Sequence, residues 1–151
     1  MFIHSVIQSV LQNLRSFGPK RSLIFEVGSG VKKCPAIEGD PRRLHQAINN
    51  IISNAVKYTP DGGSIFIDAE QYEDVIHLTI RDTGVGIPPS ELSNIFERFY
   101  VLEDTALHKT SKTDFKGGGL GLGLTVTKGI IEAHNGKIWA DSPGFDDVNF
   151  P

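Results

Sequence analysis

The chain has 151 residues, 39% of them hydrophobic, enough for one well-cored domain and too few for two ordinary ones. Lys and Arg total 15 against 18 Asp and Glu, a net charge of -3 with no block of like charges, which excludes the basic excess of a nucleic-acid-binding module. The single cysteine, Cys34, leaves no internal disulfide, and no apolar run approaches a membrane span, so the expectation is a cytoplasmic α/β domain in a reducing compartment.

Ile3, Val6, Ile7, Val10, Leu11 and Leu14 recur every three or four residues, which predicts an amphipathic helix ending near Phe17, before Gly18-Pro19. That spacing differs from the unbroken apolar core of a signal peptide. Leu23-Ile24-Phe25-Glu26-Val27 reads as a strand, followed by a Gly/Ser/Lys loop through Cys34-Pro35. Asp40-Pro41 supplies an N-cap and a first-turn proline for a second helix running to about Lys57. Tyr58-Thr59-Pro60-Asp61-Gly62-Gly63 is turn chemistry. Alternating residues at 64–70 and 75–81, with a short polar connection, predict an antiparallel hairpin.

A Gly/Pro loop follows at 82–89, then a short helix over about 90–98 and a polar stretch at 103–116. The segment Gly117-Gly118-Gly119-Leu120-Gly121-Leu122-Gly123-Leu124 packs glycines directly before a last helix, roughly 122–134. Asn135-Gly136 is a left-handed terminator for that helix, and a strand is expected at 137–140. Helices and strands in this order predict a two-layer α/β sandwich, a mixed sheet with helices on one face, and not a doubly wound fold. No strand meets the glycine loop directly and no Gly-Lys-Ser/Thr ending follows, so dinucleotide and P-loop motifs do not apply.

A glycine-dense loop before a helix start can close its backbone N–H groups on an anion, and it can equally be a plain connector. On the helix after Asp40, Leu44, Ile48, Ile51, Ile52 and Ala55 form the arc expected to be buried. Arg43, Gln46, Asn50, Asn54 and Lys57 fall opposite, so two amides and an ammonium project together. A solvated face would read the same way, although asparagine is a poor helix former. A neutral carboxamide oxygen can ligate a hard cation, and a nearby lysine can neutralise phosphate.

In Ile80-Arg81-Asp82-Thr83-Gly84-Val85-Gly86-Ile87-Pro88, an aspartate ends a strand and glycines bend the backbone away. The acceptor-only carboxylate suits an amine such as the exocyclic group of adenine, and Gly84 and Gly86 would admit a flat ring. An Asx turn is the plain alternative. Phe96 and Phe99 lie one helical turn apart, as core residues do, or as the hinge of the polar segment behind them. That segment, with Lys109, Lys112 and Lys116, has the composition of a lid.

Taken in order, four motifs resemble the N, first glycine, F and second glycine boxes of the catalytic ATP-binding domain of sensor histidine kinases, in the GHKL ATPase superfamily. They are Asn50-x-x-x-Asn54-Ala55-Val56-Lys57-Tyr58-Thr59-Pro60, Asp82-Thr83-Gly84-Val85-Gly86-Ile87-Pro88, Phe96-Glu97-Arg98-Phe99-Tyr100 and Gly119-Leu120-Gly121-Leu122-Gly123-Leu124. Flanking Glu38-Gly39-Asp40-Pro41 and Glu132-Ala133-His134-Asn135-Gly136 also look like this family. The resemblance implies a Bergerat-type fold that binds ATP and Mg²⁺, with Asn54 as the metal ligand and Asn50 one turn before it in the same phosphate-facing row. Lys57 matches the basic residue near the phosphates, so Asn50 and Lys57 are the catalytic candidates. Tyr58 matches the residue beside the nucleotide. Asp82 looks like the adenine-recognising carboxylate, with Gly84 and Gly86 shaping its pocket. Phe99 of the F box and Gly119, Leu120, Gly121, Leu122 and Gly123 of the second glycine box complete the implied nucleotide-binding set.

The resemblance further implies a dimerisation and phosphoacceptor domain of the parent kinase as partner, and indirectly a response regulator. Parents of this kind are often membrane-anchored. Nothing here resembles the His-Glu/Asp-x-x-x-Pro box, so the chain is expected to bind ATP without phosphorylating itself. After Arg98 the lid carries lysines and no arginine, and the usual final strand is expected to be missing, leaving the 137–140 strand with an unpaired edge. A non-catalytic nucleotide-sensing module of the same fold is the alternative. The gyrase, chaperone and mismatch-repair branches carry a glutamate one turn before the metal-binding asparagine, where this chain has Asn50.

Overall fold

The computed structural model describes residues 1–17, 22–87, 90, 92, 94–96 and 123–142. The elements are α1 (Ile3–Phe17), β1 (Ile24–Val27), α2 (Gly30–Lys33), α3 (Pro41–Lys57), β2 (Ser64–Tyr72), β3 (Val75–Asp82) and α4 (Gly123–Ala133). The strands form one sheet in the order β1-β2-β3. β1 runs parallel to β2, with Ile24 opposite Ser64 and Val27 opposite Ile67. β3 runs antiparallel, from Tyr72 opposite Val75 to Ile65 opposite Asp82. The sheet is therefore mixed, as the order of helices and strands in the sequence predicts, and its hairpin turns through Glu73 at φ 51.

Alternation along β2 decides which face is covered. Ile65, Ile67 and Ala69 are buried beneath the helices, whereas Phe66 and Asp68 between them point to the other side. The apolar stripe of α1, namely Ile3, Val6, Ile7, Val10 and Leu11, joins Ile48, Ile52, Ala55 and Val56 of α3 in one core over those strand residues. Each fully buried isoleucine there contributes about 2 kcal/mol of apolar burial.

A smaller cluster of Leu44, Ala47 and Ile130 lies between α3 and α4. This second contact corrects the expected buried arc of α3. Ile51 stays half-buried; Ala47 is buried because α4 covers a flank that a helix packed on a sheet alone would expose, and Val56 is buried in the main core.

Three further expectations change. The loop before Cys34 contains the helical turn α2, which buries Val31, with Cys34 buried just beyond it, in the main core. In the expected helix over 90–98, Ser90 lies in a 3₁₀ turn and residues 92 and 94–96 lie in turns. That piece is held by tertiary contacts, with Ile95 buried and Thr125 Oγ1 donating to the Phe96 carbonyl at 2.9 Å. Residues 137–140 are not a strand, because no ladder pairs them among the described residues. Trp139 instead stacks on His77 of β3, with ring centroids 5.3 Å apart.

The end of α4 follows the expectation: Asn135 takes φ 60 and Gly136 N–H donates to Ile131 O at 2.9 Å. No helix among the described residues is long and apolar enough to cross a membrane.

Candidate functional site

The site is organised by α3, whose register is set at its start. Asp40 Oδ1 accepts from Arg42 N at 2.9 Å and Arg43 N at 3.3 Å, and Pro41 occupies the first turn. From that start, Asn50, Asn54 and Lys57 come to lie along one row, each half-buried. Burial lowers the proton affinity of the Lys57 ammonium and raises the pKa of the neighbouring Tyr58 phenol.

One end of this row meets α4. Asn50 Nδ2 donates to the Gly123 carbonyl oxygen at 3.1 Å, and the same oxygen accepts from Thr127 Oγ1 at 2.9 Å. Thr127 is fully buried, and its Oγ1 also lies 3.4 Å from the Ala47 carbonyl oxygen on α3. The last glycine of the glycine-rich segment is thereby held against the row that carries Asn50, Asn54 and Lys57.

The other end meets the turn after β3. Gly84 N–H donates to Asp82 Oδ1 at 2.7 Å, and Val85 N–H donates to the Tyr58 carbonyl at 3.2 Å. Thr83 fastens the turn to the start of β2: its N–H donates to Ser64 O, and its Oγ1 accepts from Ser64 N, both at 3.0 Å. A Cβ at Gly84 would collide with the Asp82 carboxylate and come within 2.7 Å of the Tyr58 carbonyl oxygen. Gly86 takes φ 79, a conformation that side chains rarely adopt.

Asp82 keeps contact with solvent, yet the protein packed around its carboxyl raises its pKa, partly offset by the Gly84 hydrogen bond. Its two oxygens retain acceptor capacity beyond that bond.

The two ends are Asn50 with Gly123 and Tyr58 with the Asp82–Gly84 turn, separated along α3 by about 12 Å at the rise of an α-helix. Of the residues singled out from the sequence, Asn50, Asn54, Lys57, Tyr58, Asp82, Gly84, Gly86 and Gly123 lie in this arrangement. Phe99, Gly119, Leu120, Gly121 and Leu122 fall outside the described residues, as do Lys109, Lys112 and Lys116.

Several supporting residues escaped the sequence reading. Thr59, fully buried, donates from Oγ1 to Ala55 O at 2.6 Å and so closes the end of α3. Ser142 Oγ accepts from Ile87 N at 2.9 Å, which ties the first glycine loop to the chain beyond α4. Thr127 carried no distinguishing signal, since Thr125 and Lys128 stand beside it on the same helix.

Among the described residues no group of three His, Cys, Asp or Glu could hold a metal ion unaided. The donor set at Asn54 is a neutral carboxamide oxygen beside an ammonium. It fits a divalent ion whose remaining ligands are phosphate oxygens and water, the usual condition of Mg²⁺ on a nucleotide.

A helix-covered mixed sheet, with a site strung along α3 between the Asp82–Gly84 turn and the start of α4, is the architecture of the two-layer ATP-binding sandwiches. Residues 39–148 match the family described as histidine kinase-, DNA gyrase B-, and HSP90-like ATPases, and the chain belongs to that family. It is 39% identical over 108 residues to the sensor histidine kinase WalK of Bacillus subtilis, covering 70% of this chain and 16% of that protein. Over 127 residues it is 36% identical to the probable sensor kinase SilS of Salmonella typhimurium, covering 84% of this chain and 24% of that protein. The chain thus spans at most about a quarter of the length of these relatives. Among solved structures it is similar to the mycobacterial sensor histidine kinase MprB, with a TM-score of 0.69 at 28% identity, covering 89% of this chain and 78% of that one. The catalytic domain of the histidine kinase ThkA shares the fold, with a TM-score of 0.66 at 24% identity over 92% of this chain and 83% of that one.

Proposed function

We propose that the chain is, as a single domain, the Mg²⁺-ATP-binding catalytic domain of a two-component sensor histidine kinase. It donates the γ-phosphoryl group of ATP to a histidine on a separate dimerisation and phosphoacceptor domain, from which a response regulator is served. The observation that carries this reading is the two-ended arrangement along α3: Asn50 bonded to Gly123 at one end, and at the other the Tyr58 carbonyl bonded to Val85, just past the Asp82–Gly84 turn.

In this reading Asp82 accepts from the adenine amino group, Gly84 and Gly86 leave room for the ring, and Tyr58 lies beside it. Asn54 offers its oxygen to Mg²⁺, and Lys57 places positive charge at the phosphates. Gly119, Leu120, Gly121, Leu122 and Gly123 bring backbone amides to the phosphates, and Phe99 closes the nucleotide side. Mg²⁺, when bound, offsets phosphate charge as the γ-phosphoryl group leaves; the protein's own contribution is positioning and electrostatics.

The residue one turn before Asn54 favours transfer over hydrolysis. Asn50 is not a carboxylate and cannot act as a base toward water, and its amide donates to Gly123. The domain would work on the cytoplasmic side of its parent.

The test is calorimetric titration of the chain with ADP and a non-hydrolysable ATP analogue, with and without Mg²⁺, beside Asp82→Asn. Micromolar-range binding that Asp82→Asn abolishes, with analogue binding strengthened by Mg²⁺, is expected. Given ATP and a separate phosphoacceptor domain, the chain should label that domain's histidine and carry no stable label itself. A folded chain that binds no nucleotide overturns the reading; binding without any transfer favours the nucleotide-sensing module.

A further inference from the structure

At the end of α4 remote from Gly123, His134 joins the two helices that carry the site. Asp40 N–H donates to His134 Nε2 at 3.0 Å, and His134 Nδ1 lies 2.8 Å from the Ile130 carbonyl oxygen. A carbonyl only accepts and a backbone amide only donates. Both contacts are therefore satisfied by a single species, the neutral imidazole with its proton on Nδ1.

The need for this acceptor is visible in the start of α3. Asp40 is the N-cap residue, and its own N–H is one of the donors that a helix start leaves over. In a capping box a Glu or Gln at the third helical position reaches back to that N–H. Here the third position is Arg43, which has no acceptor to offer. The imidazole of a different helix takes the part. Gly39 leaves room for both the ring and Leu44, since a Cβ there would lie 2.9 Å from Leu44 Cδ1, 3.0 Å from His134 Cδ2 and 3.2 Å from Nε2.

Among the described residues the apolar cluster between the two helices is Leu44, Ala47 and Ile130, with Met1, Ile37 and Ile131 beside it. Polar contacts at the two ends add direction to how α4 lies along α3. They are the Asn50 bond to Gly123, the Thr127 contact with the Ala47 carbonyl and, about 16 Å from Gly123 along the helix, the His134 bond to Asp40.

We propose that His134 is a positioning residue for the nucleotide site. Its Nδ1–H imidazole clasps the N-cap of α3 to the end of α4, and so fixes where Gly123 stands against Asn50. The inference rests on the nucleotide-binding reading above.

The experiment compares the wild-type chain with His134→Phe, which keeps a ring but no acceptor, and His134→Gln, whose amide oxygen can again accept from Asp40. His134→Phe should weaken ADP binding about three- to tenfold, the worth of one hydrogen bond, and His134→Gln should recover most of the loss. Nitrogen-15 spectra of the wild-type ring should show Nδ1 protonated and Nε2 bare. The Asp40 amide should be protected from hydrogen exchange in the wild type and exposed in His134→Phe.

Undiminished affinity in His134→Phe, no recovery in His134→Gln, or an Nε2–H ring overturns the proposal. Should His134→Phe fail to fold, His134→Leu, which likewise offers no acceptor, takes its place and must weaken ADP binding for the proposal to stand. A wild-type chain that binds no ADP overturns the functional reading and the positioning role with it. The ring tautomer and the Asp40 exchange rate report on the clasp separately from that failure.

Discussion

The side chain of Asn50 and the carbonyl of Gly123 meet at 3.1 Å, so a residue in the middle of α3 holds the first residue of α4. Losing this bond by Asn50→Ala should cost about 1 kcal/mol of stability, because Thr127 still donates to the same oxygen. Asn50→Asp should cost more than Asn50→Ala above the carboxyl's pKa, since it sets a carboxylate against a carbonyl oxygen. Urea unfolding of the two variants near neutral pH gives the comparison; an Asn50→Asp chain as stable as wild type would show the contact to be idle.

Asp82 sets stability against binding. Its carboxyl pKa is raised in the folded chain, chiefly by desolvation, so the native state holds the proton more tightly than the unfolded state does. Stability contributed by this group is present below the ordinary Asp value and is lost as pH rises from there through the raised folded value. Asp82→Asn removes the charge while keeping an acceptor for Gly84. It should therefore be as stable as wild type or more so near neutral pH, with the gain growing as pH rises through that window, yet lose nucleotide binding. Melting curves across the acid range check the sign, and a less stable Asp82→Asn at neutral pH would reverse it.

Gly84→Ala has no room. The added methyl meets the Tyr58 backbone carbonyl, which can yield only if the end of α3 or the turn moves. A loss of about 1–3 kcal/mol is expected, the usual range for overpacking. Amide shift changes in NMR spectra should centre on Tyr58, Gly84 and Val85, and changes spread evenly over the core would argue for another cause.

Cys34 is 5% exposed, and its thiol pKa is raised, first by burial and then by the negative charge of Asp68. Alkylation by iodoacetamide at neutral pH should be slow in the native chain and fast once denaturant unfolds it. Asp68→Asn should modestly speed the native reaction. A native rate equal to the unfolded one would place the thiol outside the core.

The parts of this molecule that are local were legible in the sequence. Asp40-Pro41 announced α3, alternation announced β2 and β3, and Asn135-Gly136 announced the end of α4. The row of Asn50, Asn54 and Lys57, and the Asp82 turn with Gly84 and Gly86, followed from helical period and turn chemistry. What remained hidden is tertiary. The flank of α3 that buries Ala47 exists because α4 lies on it, and no period of a single helix contains its neighbour. Residues 137–140 are a short, mostly apolar run behind a helix terminator, but strand formation needs a partner's backbone. Thr127 and His134 bond across between helices, and polar residues in such places leave no repeat to read.

The mixed sheet also sets an order of assembly. β2 and β3 are joined by a short turn, so their pairing closes a small loop at little entropic cost, whereas β1 can reach β2 only after the chain through α2 and α3 has been gathered in. The carboxylate at the end of β3 can thus be presented early, on a hairpin, while Tyr58 arrives with α3. Gly123 joins the site across a separation of 73 positions from Asn50. A ligand that needs all three recognises only the finished molecule, and nucleotide added during refolding should trap completed chains without hastening the first hairpin.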